Sequence, residues 1–154
     1  ETLIEAIIKN ANECEVMYAP GNHDPSVGYM FARLLKRAYS NQKNITWDIS
    51  LKHYKGTMLG HNFIGATHGD KGKNNYLAKY LDEFGFMLGT AQNRELFTGH
   101  LHSEMSKDLG GFVQRQVSTR KPTDKWTDDI GVVAHKTFEL VEYSDHDTRA
   151  IYYV

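Results

Sequence analysis

The stretch from Tyr18 to Ser26, "YAPGNHDPS", decides how the rest of the chain is read. An apolar run ends in a glycine, and one tight turn then receives an amide, an imidazole and a carboxylate from Asn22, His23 and Asp24. The run "CEVMYAP" reads as a short strand and "GNHDPS" as the loop leaving it. Two later stretches repeat the habit: "NFIGATHG" reaches His68, and "ELFTGHLH" reaches His100 and His102. Each of these runs has glycine beside its histidine, where the missing Cβ lets backbone come close to a bound group. Three such strand ends predict one pocket shared by Asn22, His68, His100 and His102. Read as extended, His100 and His102 point their rings to the same side, because side chains alternate along a strand. Neutral imidazole suits zinc, manganese and iron, and the Asn22 side-chain oxygen adds a hard neutral donor. Taken singly, each signal is more often structural than ligating; the three together favour a metal centre.

Composition sets the frame for that reading. The 154 residues are enough for one domain with a real core, with 40% hydrophobic and 24% charged residues. The expectation is a single domain over 1–154. No segment is apolar for long enough to span a bilayer, and no membrane association is expected. A net charge of -1 gives no global attraction to nucleic acid. The lone Cys14 rules out an internal disulfide and is compatible with a reducing compartment, so a cytoplasmic location is expected. Glu1 opens directly into "ETLIEAIIKNANE", whose Leu3, Ile4, Ile7 and Ile8 form a helical stripe, and the chain is expected to begin inside a larger protein.

Ser26 is the expected cap of a helix running to about Tyr39, with Met30, Phe31, Leu34, Leu35 and Ala38 on its inner face. The period then changes to alternation, and "ITWDIS", "YKGTMLG" and "NFIGATHG" read as strands. A helix is predicted from about Asn74 to Phe86 and a further helical turn around Thr90 to Arg94. "ELFTGH", "GGFVQRQVS", "HKTFELVEY" and "RAIYYV" read as strands, with "SDHDT" as the hairpin turn between the last two. "TRKPTDKWTDDIG" is polar and turn-rich and reads as a surface loop carrying Trp126. Interspersed strands and helices give a fold class of α/β or α+β.

In their order, "GNHD" (Gly21–Asp24), the histidine of "THGD" (His68) and "GHLH" (Gly99–His102) resemble the last three signature motifs of the calcineurin-like metallophosphoesterases. The resemblance implies a two-layer β-sandwich flanked by helices, holding two divalent metal ions that hydrolyse phosphomonoesters or phosphodiesters. Carried over by position, Asn22, His68 and His100 would bind one metal and His102 the other, with manganese expected first and iron, zinc or nickel as alternatives. His23 would stand beside the scissile phosphate as proton donor or charge stabiliser, and Asp24 would orient its ring. The tail around "DKWTDDIG" is similar to the phage and prophage branch.

The family's first two motifs, an Asp-x-His at the end of the first strand and a Gly-Asp with a further Asp downstream, supply its anionic ligands and are expected before the helix that opens these residues, where the sequence does not reach. The expectation is therefore a domain truncated at its N-terminus and lacking its first strands, inactive or nearly so alone, with exposed strand edges that favour a homo-oligomer. The alternative is a non-catalytic metal-binding or scaffold module that keeps the fold. The partner expected is a phosphate-ester substrate, with nucleic acid as one form of it. Lys107, Arg115, Arg120, Lys121 and Lys125 are candidates for a phosphate backbone, diluted by Asp108 and Asp124. Asp70, Lys71 and Lys73 read as a solvated turn, Trp126 as tucked against its own domain, and His53, His61, His135 and His146 as structural or exposed.

Overall fold

The computed structural model describes residues 3–23, 25–72, 75–119 and 136–154. The chain divides into two compact units, Glu1–His53 and Tyr54–Val154. The fold is mixed α/β, as expected, with a central sheet and helices.

The first unit holds α1 (Leu3–Asn10), β1 (Cys14–Met17), α2 (Pro25–Ala38) and β2 (Ile45–Asp48). β1 and β2 are parallel, in the register Cys14↔Ile45 to Met17↔Asp48, and α2 is the crossover that parallel neighbours require. The Asn44 side-chain amide donates to the carbonyls of Ile8 and Ala11, both at 3.1 Å, which satisfies backbone acceptors at the end of α1.

α2 begins at Pro25, where the absent N–H costs the helix nothing, rather than being capped by Ser26. Its inner face also differs from expectation. Ala32 is buried and Tyr29 and Leu35 are half-buried, whereas Met30, Phe31 and Leu34 are all more than 60% exposed. The helix is apolar on two flanks, so periodicity could not choose between them; Tyr29 packing its ring 6.4 Å from that of Tyr18 shows which one faces inward.

The second unit is built on a five-stranded sheet. In chain order its strands are β3 (Lys55–Leu59), β4 (Asn62–Thr67), β5 (Asn93–Thr98), β6 (Met105–Asp108) and β7 (Val113–Gln116), with α3 (Tyr76–Thr90) between β4 and β5. The spatial order is β3-β4-β5-β7-β6; β5 runs parallel to both β4 and β7, and the outer pairs are antiparallel. A separate ribbon pairs β8 (Glu139–Tyr143) with β9 (Thr148–Tyr153), and "SDHDT" forms its turn as read from the sequence.

One face of the sheet packs on α3. Phe63, Tyr80 and Leu96 are fully buried and Phe112 is 1% exposed. Tyr80 stacks on Phe84 at 5.5 Å, meets Phe63 edge-on at 6.0 Å, and donates its hydroxyl to the Ala66 carbonyl at 2.9 Å. Burial pushes that phenol far above its ordinary pKa, which keeps it a neutral donor. Gly56 and Gly65 pair across β3 and β4, and both are places of close approach. A Cβ on Gly56 would stand 2.7 Å from the Phe63 ring, and one on Gly65 would stand 2.8 Å from the Tyr80 ring.

The other face carries a polar tie to the ribbon. Glu95, 1% exposed on β5, accepts from Arg115 Nε at 2.9 Å and Nη2 at 2.6 Å. It also accepts from the Tyr143 hydroxyl at 2.6 Å and the Thr148 hydroxyl at 2.8 Å, one residue from each strand of the ribbon. A buried carboxylate is tolerated only when its lone pairs are filled in this way.

Two further expectations shift. α3 runs on to Thr90, with non-helical torsions at Phe84, and Asn93–Arg94 opens β5 instead of a separate helical turn. Arg94 Nε caps the helix by donating to the Leu88 carbonyl at 2.6 Å. β6 was not anticipated, because "MSKD" is exposed at all four positions and carries no alternation to read. Trp126, Arg120, Lys121, Lys125, Asp124, Lys73 and His135 lie outside the described residues, as does Asp24.

Candidate functional site

Parallel neighbours bring whatever follows them to one edge of a sheet. β4 and β5 pair from Asn62↔Asn93 to Thr67↔Thr98, so His68 and the Gly99–His100 segment leave the sheet side by side at its carboxyl end. The Gly99 amide donates to the His68 carbonyl at 3.0 Å, extending the ladder by one bond. The His68 and His100 rings then meet edge-on, with centroids 5.1 Å apart and planes at 69°. Both side chains are half-buried.

This meeting depends on tight backbone. Gly69 has φ 101°, and a Cβ on it would stand 3.1 Å from the Gly99 carbonyl oxygen, so a side chain there would pry the two loops apart. Tyr76 on α3 donates its hydroxyl to the Gly69 carbonyl at 3.2 Å and pins the first loop from below. Burial, followed by the neighbouring Tyr54 and Asp70, raises that phenol's pKa. The second loop is held from β7, where the Gln116 amide donates to both the carbonyl and the hydroxyl of Ser103 at 2.8 Å. A cavity of about 220 Å³ opens beside these loops, with Gly69, Gly99, Leu101, Met105, Lys107 and Gln116 in its wall.

The alternation expected of His100 and His102 is absent. The segment after Thr98 is a bend, and both histidines adopt left-handed backbone, with φ 70° at His100 and 55° at His102. The ring directions therefore come from two left-handed turns rather than from a strand. A histidine in that region costs roughly 1–2 kcal/mol, and such strain concentrates at functional sites. His102→Gly is accordingly expected to be more stable than His102→Ala by about 1 kcal/mol in urea titrations, the reverse of the order found at ordinary positions. Equal stability of the two would show the turn to be unstrained.

Asn22 and His23 belong to the first unit, where both are exposed on the loop leaving the carboxyl end of β1. Asp24 is outside the described residues. His102 is half-buried two residues beyond His100. Among the described residues, the group of three metal-type side chains whose ligand atoms all lie within 4.8 Å of one another is a different one: His61, Asp145 and His146. Both of those histidines read from the sequence as structural or exposed, and both are exposed. Their meeting joins positions 84 residues apart, and only the Asp-His pair within "SDHDT" hinted at it.

The donor chemistry tests what His68 and His100 can hold. Two imidazoles from one sheet edge fit a single late first-row divalent ion that completes its shell with other donors. They bring no negative charge, so alone they do not fit a pair of dications. Lys107 and Arg115, considered above for a phosphate backbone, part company: Lys107 is exposed and borders the cavity, while Arg115 is committed to Glu95. Asp70 pairs with Lys71 at 3.5 Å.

No family model matches the chain, and no curated protein matches it. Solved structures with a related course of chain include wild-type Vps29 from Entamoeba histolytica in complex with zinc. It is 15% identical, with 92% of this chain and 75% of that one covered and a TM-score of 0.49. A single mutant of the same protein is 18% identical over 93% of this chain and 76% of that one, with a TM-score of 0.47. A Streptococcus pneumoniae protein described as a predicted phosphoesterase is 13% identical over 91% of this chain and 97% of that one, with a TM-score of 0.43. Likeness at this level carries no functional weight.

Proposed function

We propose that this chain contributes the histidine-rich part of a metal-dependent phosphoesterase centre, acting on phosphodiesters ahead of phosphomonoesters. The observation that carries the reading is the His68–His100 pair, set by parallel strands and held on strained backbone. In this reading His68 and His100 are metal ligands, and Asn22 and His102 are assigned the same role. Bound divalent ions would supply an activated water and polarise the phosphoryl oxygens. The chain's own contribution to the reaction is assigned to His23, which would stabilise the leaving alkoxide as proton donor or charge stabiliser, with Asp24 assigned to orient its ring. Lys107, beside the cavity, offers a cation to a substrate phosphate.

A second reading, a metal-binding module without turnover, is favoured by the absence of a carboxylate from this donor set. Manganese-dependent hydrolysis of bis(p-nitrophenyl) phosphate separates the two. With the anionic ligands of a complete centre supplied, the first reading expects release of nitrophenol that requires metal and disappears in His100→Ala. Metal bound by that complete centre with no release above the rate in buffer would overturn it in favour of the second. Zinc, nickel and iron are compared with manganese in the same assay, with p-nitrophenyl phosphate as the monoester control.

A further inference from the structure

A second cluster of metal-type side chains lies at the amino end of β4, where two hairpin turns meet. The β3–β4 turn carries Gly60 and His61, and the β8–β9 turn carries Asp145 and His146. Their backbones are already locked together. The His61 amide donates to the Asp145 carbonyl at 2.9 Å. Asn62, wholly buried, donates its amide to Leu59 O at 2.9 Å, Ser144 O at 2.8 Å and Asp145 O at 3.3 Å, and accepts from Asn93 at 3.1 Å. Gly60, with φ 58°, leaves the space in which the Asp145 carboxylate lies; a Cβ there would stand 2.5 Å from its Oδ1.

On this rigid base three exposed side chains converge. His61 Nδ1 stands 3.2 Å and His146 Nε2 3.6 Å from the same oxygen, Asp145 Oδ2, and the two rings are 4.9 Å apart. Charge-assisted hydrogen bonds between nitrogen and carboxylate are shorter, at about 2.7–2.9 Å. Ligand atoms bound to zinc at about 2.0–2.1 Å with tetrahedral angles, by contrast, stand about 3.3 Å from one another. Two imidazoles and one carboxylate are also a donor set suited to zinc, with a fourth position left to water.

We propose that His61, Asp145 and His146 form a binding site for a late first-row divalent ion, zinc in particular, that clips the β8–β9 turn to the β3–β4 turn. The site is separate from His68 and His100: the two flank a six-residue strand, which at about 3.3 Å per residue spans about 20 Å. It does not depend on the phosphoesterase reading. An ion held between the two turns binds the folded state and not the unfolded one, so it raises the melting temperature.

The test uses Zn2+ alone as the probe, in the full chain carrying His68→Ala and His100→Ala to silence the other histidine pair. Calorimetric titration is expected to give one zinc per chain, with a rise in melting temperature on zinc addition. Adding His146→Ala, whose side chain lies on an exposed turn, should weaken zinc about tenfold or more and abolish the rise, while leaving the metal-free melting temperature unchanged. Asp145→Asn is the second variant, and it should behave the same way. No zinc binding in the His68→Ala, His100→Ala chain would overturn the proposal. So would zinc binding that survives both further changes at undiminished affinity.

Discussion

In a complete metal centre, His100→Ala is expected to lose metal and turnover together, whereas His23→Ala keeps its metal and loses turnover by about 10²- to 10⁴-fold. The difference follows from what each imidazole is assigned to do. His100 meets His68 at 5.1 Å across two adjacent loops, so its removal leaves a single imidazole at that sheet edge. His23 is assigned to the leaving group, and an interaction made only in the transition state shows in kcat rather than in ligand affinity. Manganese titrations of both variants, alongside steady-state kinetics on the chromogenic diester, decide between these roles. Equal loss of metal in the two would place His23 among the ligands.

Glu95→Ala should cost about 3–5 kcal/mol of stability, because it strands Arg115 without its partner in a poorly hydrated place. It also leaves the Tyr143 and Thr148 hydroxyls without their shared acceptor, so the β8–β9 ribbon loosens from the sheet. Burial by itself would raise the Glu95 carboxyl; the hydrogen bonds from Arg115, Tyr143 and Thr148 outweigh it and hold the group below its ordinary value of 4.5. A carboxyl depressed in the folded state contributes stability that is present above its unfolded pKa and is lost as pH falls through the folded one. The gap between wild type and Glu95→Ala is therefore expected to be full at pH 7 and to shrink below about pH 4.5. Urea titrations across that range check it; a gap that does not change with pH would remove the ionic part of the account.

What could be read beforehand follows the physics of each signal. Short apolar runs punctuated by glycine, such as "NFIGAT" and "ELFT", announced themselves, and so did the turn "SDHDT", whose residues favour turns by their own local hydrogen bonds. Exposed β6 sent no such signal, since an edge strand can pair through its backbone with nothing buried. The inner face of α2 was misread because apolar residues lie on two of its flanks, and only packing against Tyr18 distinguishes them. His100 and His102 were legible as site residues by type, yet their left-handed backbone was not, because two histidines are no usual marker of such a turn. The Glu95 network and the meeting of His61 with Asp145 and His146 join residues 20 to 85 positions apart. Local pattern carries no information at that range.

The strand order also dictates how the second unit must assemble. β3 with β4, β6 with β7 and β8 with β9 are each antiparallel neighbours in sequence, so each can close within its own short loop. Hairpins of this kind form in about 1–10 μs. β5 has no such neighbour: it is parallel to both strands beside it, and its pairing with β4 waits until α3 has been carried across. Parallel pairing closes long loops before any contact rewards them, which makes the insertion of β5 the slow event. Truncating Leu96 at the centre of that strand thus acts on the refolding rate, while changes within the hairpin turns act on how fast the native state comes apart.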